Sequence, residues 1–240
     1  MVGRLSGAIL AAGRGQRLRR ASGTLPKPLI DVGGQPMLLR QIDLLIKTGV
    51  SPIYVIVNSE THRLMGQCGL RVPDGVDLLV HDTANSMESL LRLGERVAPG
   101  LFLLMTVDAV LYERHIRNFV TNATKIIGNS RSRLDGTLAV VKWQGDVSPL
   151  FTQIGTDGVI TALGERQSPM VTAGLYLLST GIFVHAAEAR MRGLDAMRLF
   201  LAMLLEKGTR IAALEVPQAI DVDDAVDLRA AHEMLARESE

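Results

Sequence analysis

Arg4, Arg14, Arg17, Arg19, Arg20 and Lys27 all fall before the first acid of the chain, Asp31. Arg14, Arg17, Arg19 and Arg20 crowd around Gly13 and Gly15, directly after the apolar run "GAILAA". Glycines let backbone N–H groups approach a ligand closely, and guanidinium forks pair with phosphate oxygens. Backbone donors together with such cations are what a polyphosphate requires. A second chemical signal is Asp108, a lone charge closing the largely apolar run "LFLLMTVDAV". Burying a carboxylate there is costly unless it binds something. The placement puts it at the carboxyl end of a central strand, where ligands bind in open α/β sheets.

Three readings compete for the glycine loop. A dinucleotide fingerprint would need a third glycine where Leu18 stands, and an unbroken helix where Pro26 and Pro28 interrupt. A Walker-type loop would need Gly-Lys-Ser/Thr after four spacers, which is missing. The third is a polyphosphate loop that uses the whole stretch from Leu10 to Pro28. A solvated basic loop, with glycines serving only the turn, stands as the bland alternative.

The elements that must carry these residues follow from hydrophobic period. "SGAILAAG", "PIYVIVN", "VDLLVH" and "LFLLMTVDAV" read as strands. Helices are predicted between and after them, at "PMLLRQIDLLIKTGV" (spaced through Leu38, Ile42, Leu45 and Ile46), "SETHRLMGQCG" (capped by Ser59), "NSMESLLRLGERV" and "ERHIRNFVTNATKII". The second half adds strands at "DGTLAVVKW", "FTQIGTDGVITAL" and "MVTAGLYLLS", with a hairpin turn at "TDG". It then predicts a helix at "DAMRLFLAMLLEKG", a strand at "RIAALEV" and a closing helix capped by Asp224, with Asp227 in its first turn. This alternation predicts one domain over 1–240 of the α/β class: a Rossmann-like, three-layer α/β/α fold with a mostly parallel, mixed central sheet.

Composition narrows the field. Charged residues are 21%, apolar residues 47% and aromatics 4%, with a net charge of +1. So few aromatics and so small a charge argue against nucleic-acid binding. No run is long enough to span a bilayer, so no membrane partner is expected. Cys68 is the one cysteine; it reads as a buried or half-buried side chain of a reducing compartment. The five histidines have no metal-ligand spacing. The early apolar run is short and is followed by arginines where a cleavage site would stand, so a cytoplasmic protein is expected.

"LAAGRGQRL" followed at fixed spacing by "LPKPLIDVGGQPML" resembles the signature of the nucleotidyltransferases that activate sugar phosphates and related phosphorylated alcohols. The resemblance implies the nucleotide-diphospho-sugar transferase fold. It implies a nucleotide-binding half over 1–125 and an acceptor-binding, metal-completing half over 126–240. The expected partners are a nucleoside triphosphate and a phosphorylated sugar or alcohol, with Mg²⁺ as cofactor. Arg17 and Lys27 are the implied catalytic residues, holding the triphosphate. The backbone from Leu10 through Ala11 and Ala12 to Gly13 would read the base edge, Arg14 would contact phosphate, and Gly15 would admit the β- and γ-phosphates. Asp108 matches the family's metal-holding aspartate, although the usual preceding glycine is Val107 here, and through the metal it would also face the substrate. The closing "AIDVDDAVDL" supplies a second ligand, Asp221 in one register and Asp223 in another.

"NSMESL" resembles the corresponding loop of cytidylyltransferases acting on phosphocholine and inositol phosphate. It favours CTP and puts Asn85 and Ser86 near the base or ribose, a role compatible with capping the helix. "VTAGLYLLS" resembles an acceptor strand in which Gly174 would let the acceptor lie close to the backbone. "DGVITALGERQ" resembles a hairpin leading to an acceptor-side lysine. That lysine is missing, and Arg166 is its candidate substitute. A UTP- or dTTP-dependent sugar-1-phosphate enzyme, a glycosyltransferase of related fold and a non-catalytic nucleotide-binding homologue are the alternatives.

Overall fold

A computed structural model describes residues 5–13, 15, 18, 25–129, 133–145, 149–164 and 166–237. The strands of the first half are β1 (Ser6–Ala11), β2 (Asp31–Val32), β3 (Gln35–Pro36), β4 (Ile53–Val57), β5 (Val76–Val80), β6 (Leu101–Thr106) and β7 (Ala109–Val110). Those of the second half are β8 (Gly136–Lys142), β9 (Phe151–Ile154), β10 (Ile160–Gly164), β11 (Met170–Ser179), β12 (Ile211–Glu215) and β13 (Ile220–Asp221). The helices are α1 (Met37–Lys47), α2 (Ser59–Gln67), α3 (Ser86–Gly94), α4 (Glu113–Gly128), α5 (Ala186–Met191), α6 (Met197–Glu206) and α7 (Ala225–Ala236).

Parallel pairing joins β5, β4, β1 and β6 in that order. β11 then runs antiparallel to both β6 and β8, and β12 returns parallel to β8. The hairpin β9–β10 attaches to the start of β11 through Val171 and Phe151. The result is a mixed, mostly parallel sheet with helices on both faces, as the alternation predicts.

β1 shows why the strand runs read as continuously apolar. Ile9 and Ala11 pack into a core shared with α1, α4 and α7, whereas Ala8 and Leu10 pack into one shared with α3 and α6. A strand covered on both faces has no polar side to alternate.

The punctuation signals hold in detail. α1 follows Pro36 and closes at Thr48, before Gly49 at φ +78°, as helix ends prefer. "TDG" forms the β9–β10 turn, with Gly158 at φ +78° and the Gly155 amide donating to the Val159 carbonyl at 2.8 Å. Asp224 caps α7 in a reciprocal capping box with Asp227.

Four local expectations change. Asn58, not Ser59, caps α2, because its side chain accepts from the Thr61 amide, while Ser59 is held by Asp82. Cys68 is exposed, since it lies at the C-cap of α2 and not on its packed face. Ile46 is 45% exposed; Leu38, Ile42 and Leu45 already fill the face of α1 toward the sheet. The run "LFLLMTVDAV" is two strands, β6 and β7, and Asp108 sits in the turn between them. Among the described residues no helix is long and apolar enough to cross a membrane.

Candidate active site

Two short elements converge on Asp108. β7 begins at Ala109 and pairs antiparallel with β13, with Ala109 opposite Asp221 and Val110 opposite Ile220. The Val222 amide donates to the Asp108 carbonyl at 3.1 Å. This ribbon carries a residue from the middle of the chain and two from near its end into one cluster. Carboxylate oxygens of Asp108, Asp221 and Asp223 lie within 4.8 Å of one another. Asp227 supports the last of them by accepting from the backbone amides of Asp223 (3.0 Å) and Asp224 (3.1 Å).

Lys27 enters from a short 3₁₀ turn, Lys27–Leu29, that follows Pro26. Its ammonium donates to Asp108 Oδ2 and to Asp223 Oδ1, both at 2.9 Å. The residue is only 7% exposed. Burial alone would lower its pKa; the charges of Asp108 and Asp223, and the hydrogen bonds to them, outweigh that and hold it above the ordinary lysine range. Gly15, at φ +53°, lies against this lysine, and a Cβ there would meet Lys27 Cβ at 2.9 Å. The glycine therefore serves the packing of the loop on Lys27 as well as any approach of phosphate.

An all-oxygen, carboxylate-rich donor set suits a hard divalent cation such as Mg²⁺, so the residues present fit the metal that the resemblance implies.

The cluster forms one wall of a cavity of about 580 Å³. Leu10 and Ser86 line it, as do Gly174 and the three aspartates. Asn85 caps α3 through the Glu88 amide at 2.9 Å, and Ser86 Oγ accepts from the Met197 amide at 3.0 Å, tying the starts of α3 and α6 together. Ala11 is within the β1–β4 ladder, the Ala12 carbonyl accepts from Asn58 Nδ2 at 3.0 Å, and Gly13 has open space where a Cβ would stand. Arg14 and Arg17 lie outside the described residues.

Gly174 is in the left-handed region at φ +68°, at the register shift of β11. A Cβ there would lie 2.5 Å from both Ala109 Cβ and Thr106 Oγ1. The close approach it permits is to the turn that carries Asp108.

Arg166 is exposed, its carbonyl accepts from Gln153 Nε2, and it is not among the cavity-lining residues. Arg198 of α6 is there instead, with Thr172 and Tyr176. Burial pushes the Tyr176 phenol well above its usual range, aided by the nearby Asp221 and Asp108 charges and opposed by its hydrogen bond with Thr172, so it is a neutral hydroxyl at physiological pH. Signals for these three exist in the sequence. Positions 172, 174 and 176 share one face of a strand by the two-residue period. Arg198 is a cation in the first turn of a helix, where it opposes the helix dipole and needs another reason to be there.

Comparison with known proteins gives the family and the fold. The family model of the MobA-like NTP transferase domain matches residues 7–174. A curated mannose-1-phosphate guanyltransferase of Gibberella zeae is 41% identical over 194 residues, covering 74% of this chain and 50% of that protein. One from Debaryomyces hansenii is 50% identical over 54 residues, 22% of this chain and 15% of that protein. The aligned stretches thus span half or less of these relatives' length. Among solved structures, the inositol-1-phosphate CTP transferase of T. maritima superposes with a TM-score of 0.77 at 18% identity, covering 100% of this chain and 98% of that one. The CTP:phosphocholine cytidylyltransferase of Streptococcus pneumoniae superposes with a TM-score of 0.71 at 20% identity, covering 97% and 99%. At these identities the structural likeness establishes the fold.

Proposed function

This chain belongs to the MobA-like NTP transferase family, and on that premise we propose that it transfers a nucleoside monophosphate from a nucleoside triphosphate to a phosphorylated sugar or alcohol, releasing pyrophosphate. The observation that carries this reading is the carboxylate cluster of Asp108, Asp221 and Asp223, held with Lys27 in the wall of the cavity.

The reaction brings two anions together. A phosphomonoester oxygen of the acceptor attacks the α-phosphorus in line, and pyrophosphate leaves with the bonding electrons. The protein's work is to position and to neutralise. Asp108, Asp221 and Asp223 would hold Mg²⁺, which supplies Lewis-acid stabilisation of phosphate charge. Lys27 and Arg17 bind the triphosphate and stabilise the charge that develops on it. Gly13 and Gly15 give the nucleotide access to loop backbone, with Arg14 beside the phosphates. Leu10 and Ser86 line the same cavity, where the nucleoside would lie over the starts of α3 and α6. Arg198 takes the acceptor's phosphate, the role for which Arg166 is the sequence candidate. Tyr176, as a neutral hydroxyl, donates or accepts a hydrogen bond with the acceptor. The half over 1–125 thus serves the nucleotide, and the half over 126–240 serves the acceptor and completes the metal site. A cytoplasmic location belongs to the same reading.

CTP is the favoured donor, on the "NSMESL" loop. GTP is the second reading, favoured by the guanyltransferase named at 41% identity. A pyrophosphate-release screen of four triphosphates against sugar and alcohol phosphates separates them. Release with CTP alone supports the first, and release with GTP alone replaces it. An Arg198→Ala variant should raise KM for the acceptor at least tenfold with little change in KM for the triphosphate, a loss of about 1.4 kcal/mol or more. An Arg166→Ala variant with that phenotype instead would reverse the assignment.

A further inference from the structure

Asp108 stands in the turn between β6 and β7, outside the ladders of both strands. Buried carbonyls in such a turn still need donors. Gln41, on the sheet-facing side of α1 and 1% exposed, supplies them. Its Nε2 donates to the carbonyl of Val107 at 3.1 Å and to the carbonyl of Ala109 at 2.6 Å. These are the residues on either side of Asp108, whose own carbonyl accepts from Val222. Three consecutive carbonyls are therefore held, two by one side chain from the helix beneath and one by the ribbon strand opposite.

The amide also carries a cost. Gln41 Oε1 is buried with no hydrogen-bond partner among the described residues. Met37, Leu38, Ile42 and Leu45 around it on α1 are apolar core. A side chain there only to fill space would be apolar too, and would leave no orphaned oxygen. What the glutamine does that an apolar residue does not is bracket Asp108.

We infer that Gln41 is a positioning residue, which fixes the turn so that the Asp108 carboxylate is preorganised beside Asp221 and Asp223 for a divalent cation. The inference rests on reading those three carboxylates as metal ligands. Groups that orient a ligand typically change metal affinity by roughly 10- to 100-fold when removed.

The test is a Mn²⁺ titration of the chelator-stripped protein without nucleotide, following free Mn²⁺ by electron paramagnetic resonance. Wild type, Gln41→Met, Gln41→Leu, Asp108→Asn and Leu45→Ala are compared, with thermal midpoints measured in parallel. Asp108→Asn should lose binding. The Gln41 variants should bind roughly 10-fold more weakly while still unfolding cooperatively. Leu45→Ala empties core volume one turn along α1 and touches none of the turn carbonyls. It should lose at least as much thermal stability and bind Mn²⁺ like wild type. Wild-type affinity in either folded Gln41 variant overturns the inference, as does a parallel loss in Leu45→Ala, which would make the effect one of stability. No binding by wild type, or equal binding by Asp108→Asn, would instead refute the metal-site reading beneath it.

Discussion

Lys27 concentrates the site's electrostatics in one side chain. Two carboxylates at 2.9 Å keep it charged in a place where burial favours the neutral amine. Lys27→Ala should lower turnover by about 10²–10³, the effect of removing one preorganised donor to developing charge. Steady-state kinetics with saturating substrates checks this, and near-wild-type turnover would remove Lys27 from the mechanism. The same variant leaves three carboxylates facing one another without their ammonium. In chelator its thermal midpoint should fall, and Mg²⁺ should raise it by more than it raises the wild type, because a cation that binds only the folded state stabilises it. The pH dependence follows from the sign of the shift. The folded-state pKa lies above the unfolded one, so the lysine's contribution is complete below pH about 10.4 and is lost as pH rises through the folded value. In chelator, the stability difference between wild type and Lys27→Ala should therefore be flat from neutral pH to about 10 and shrink only beyond it.

At the scale of elements, the β7–β13 ribbon and the start of α7 decide where the carboxylates stand. Asp224 and Asp227 form the capping box, and Asp227 also accepts from the Asp223 amide. Asp224→Ala should cost about 1 kcal/mol in chemical denaturation, and it should weaken metal binding because the cap is continuous with the Asp223 backbone. Gly174→Ala tests the other side of the same joint. It needs a positive φ and a Cβ 2.5 Å from Thr106 and Ala109, so it should destabilise by about 1–3 kcal/mol and displace the Asp108 turn. A Gly174→Ala protein as stable as wild type would show that the β11 bulge relaxes freely. These elements also mark how far the sequence can be read. Hydrophobic period locates the main strands and helices, and Asp224 is legible as a cap because capping depends on neighbours in sequence. The break at Asp108 is not legible, since Val107 to Val110 remain apolar around it and only pairing with β13, more than a hundred residues on, ends one strand and begins another. Asn58 is missed for a smaller reason, because Asn and Ser both cap well and stand side by side.

At the scale of the whole molecule, the sheet has a core on each face and the cavity opens where β1 and β6 end. Ligands in open α/β folds gather at the carboxyl ends of the strands. Alternation of strand and helix is enough to expect such a sheet. It does not give the order in which β6 lies beside β1, or the insertion of β11 between β6 and β8, which come from tertiary packing. The site was legible to the same degree. Lys27, Asp108, Asp221 and Asp223 are named from motif and resemblance, and the fold brings all four together. Tyr176 and Arg198 leave only faint marks, a shared strand face and a first-turn cation, Gln41 is an ordinary member of an apolar helix until the chain is folded, and Arg166 stays outside the cavity. The proposed reaction at Lys27, Asp108, Asp221 and Asp223 is metal-dependent nucleotidyl transfer. Its most direct test is pyrophosphate release by wild type and Asp108→Asn, across four triphosphates and a panel of sugar and alcohol phosphates, with and without Mg²⁺. Release is expected for a specific triphosphate–acceptor pair, dependent on Mg²⁺ and lost in Asp108→Asn. Release that ignores Mg²⁺ or survives in Asp108→Asn, or no release with any pair, would contradict it.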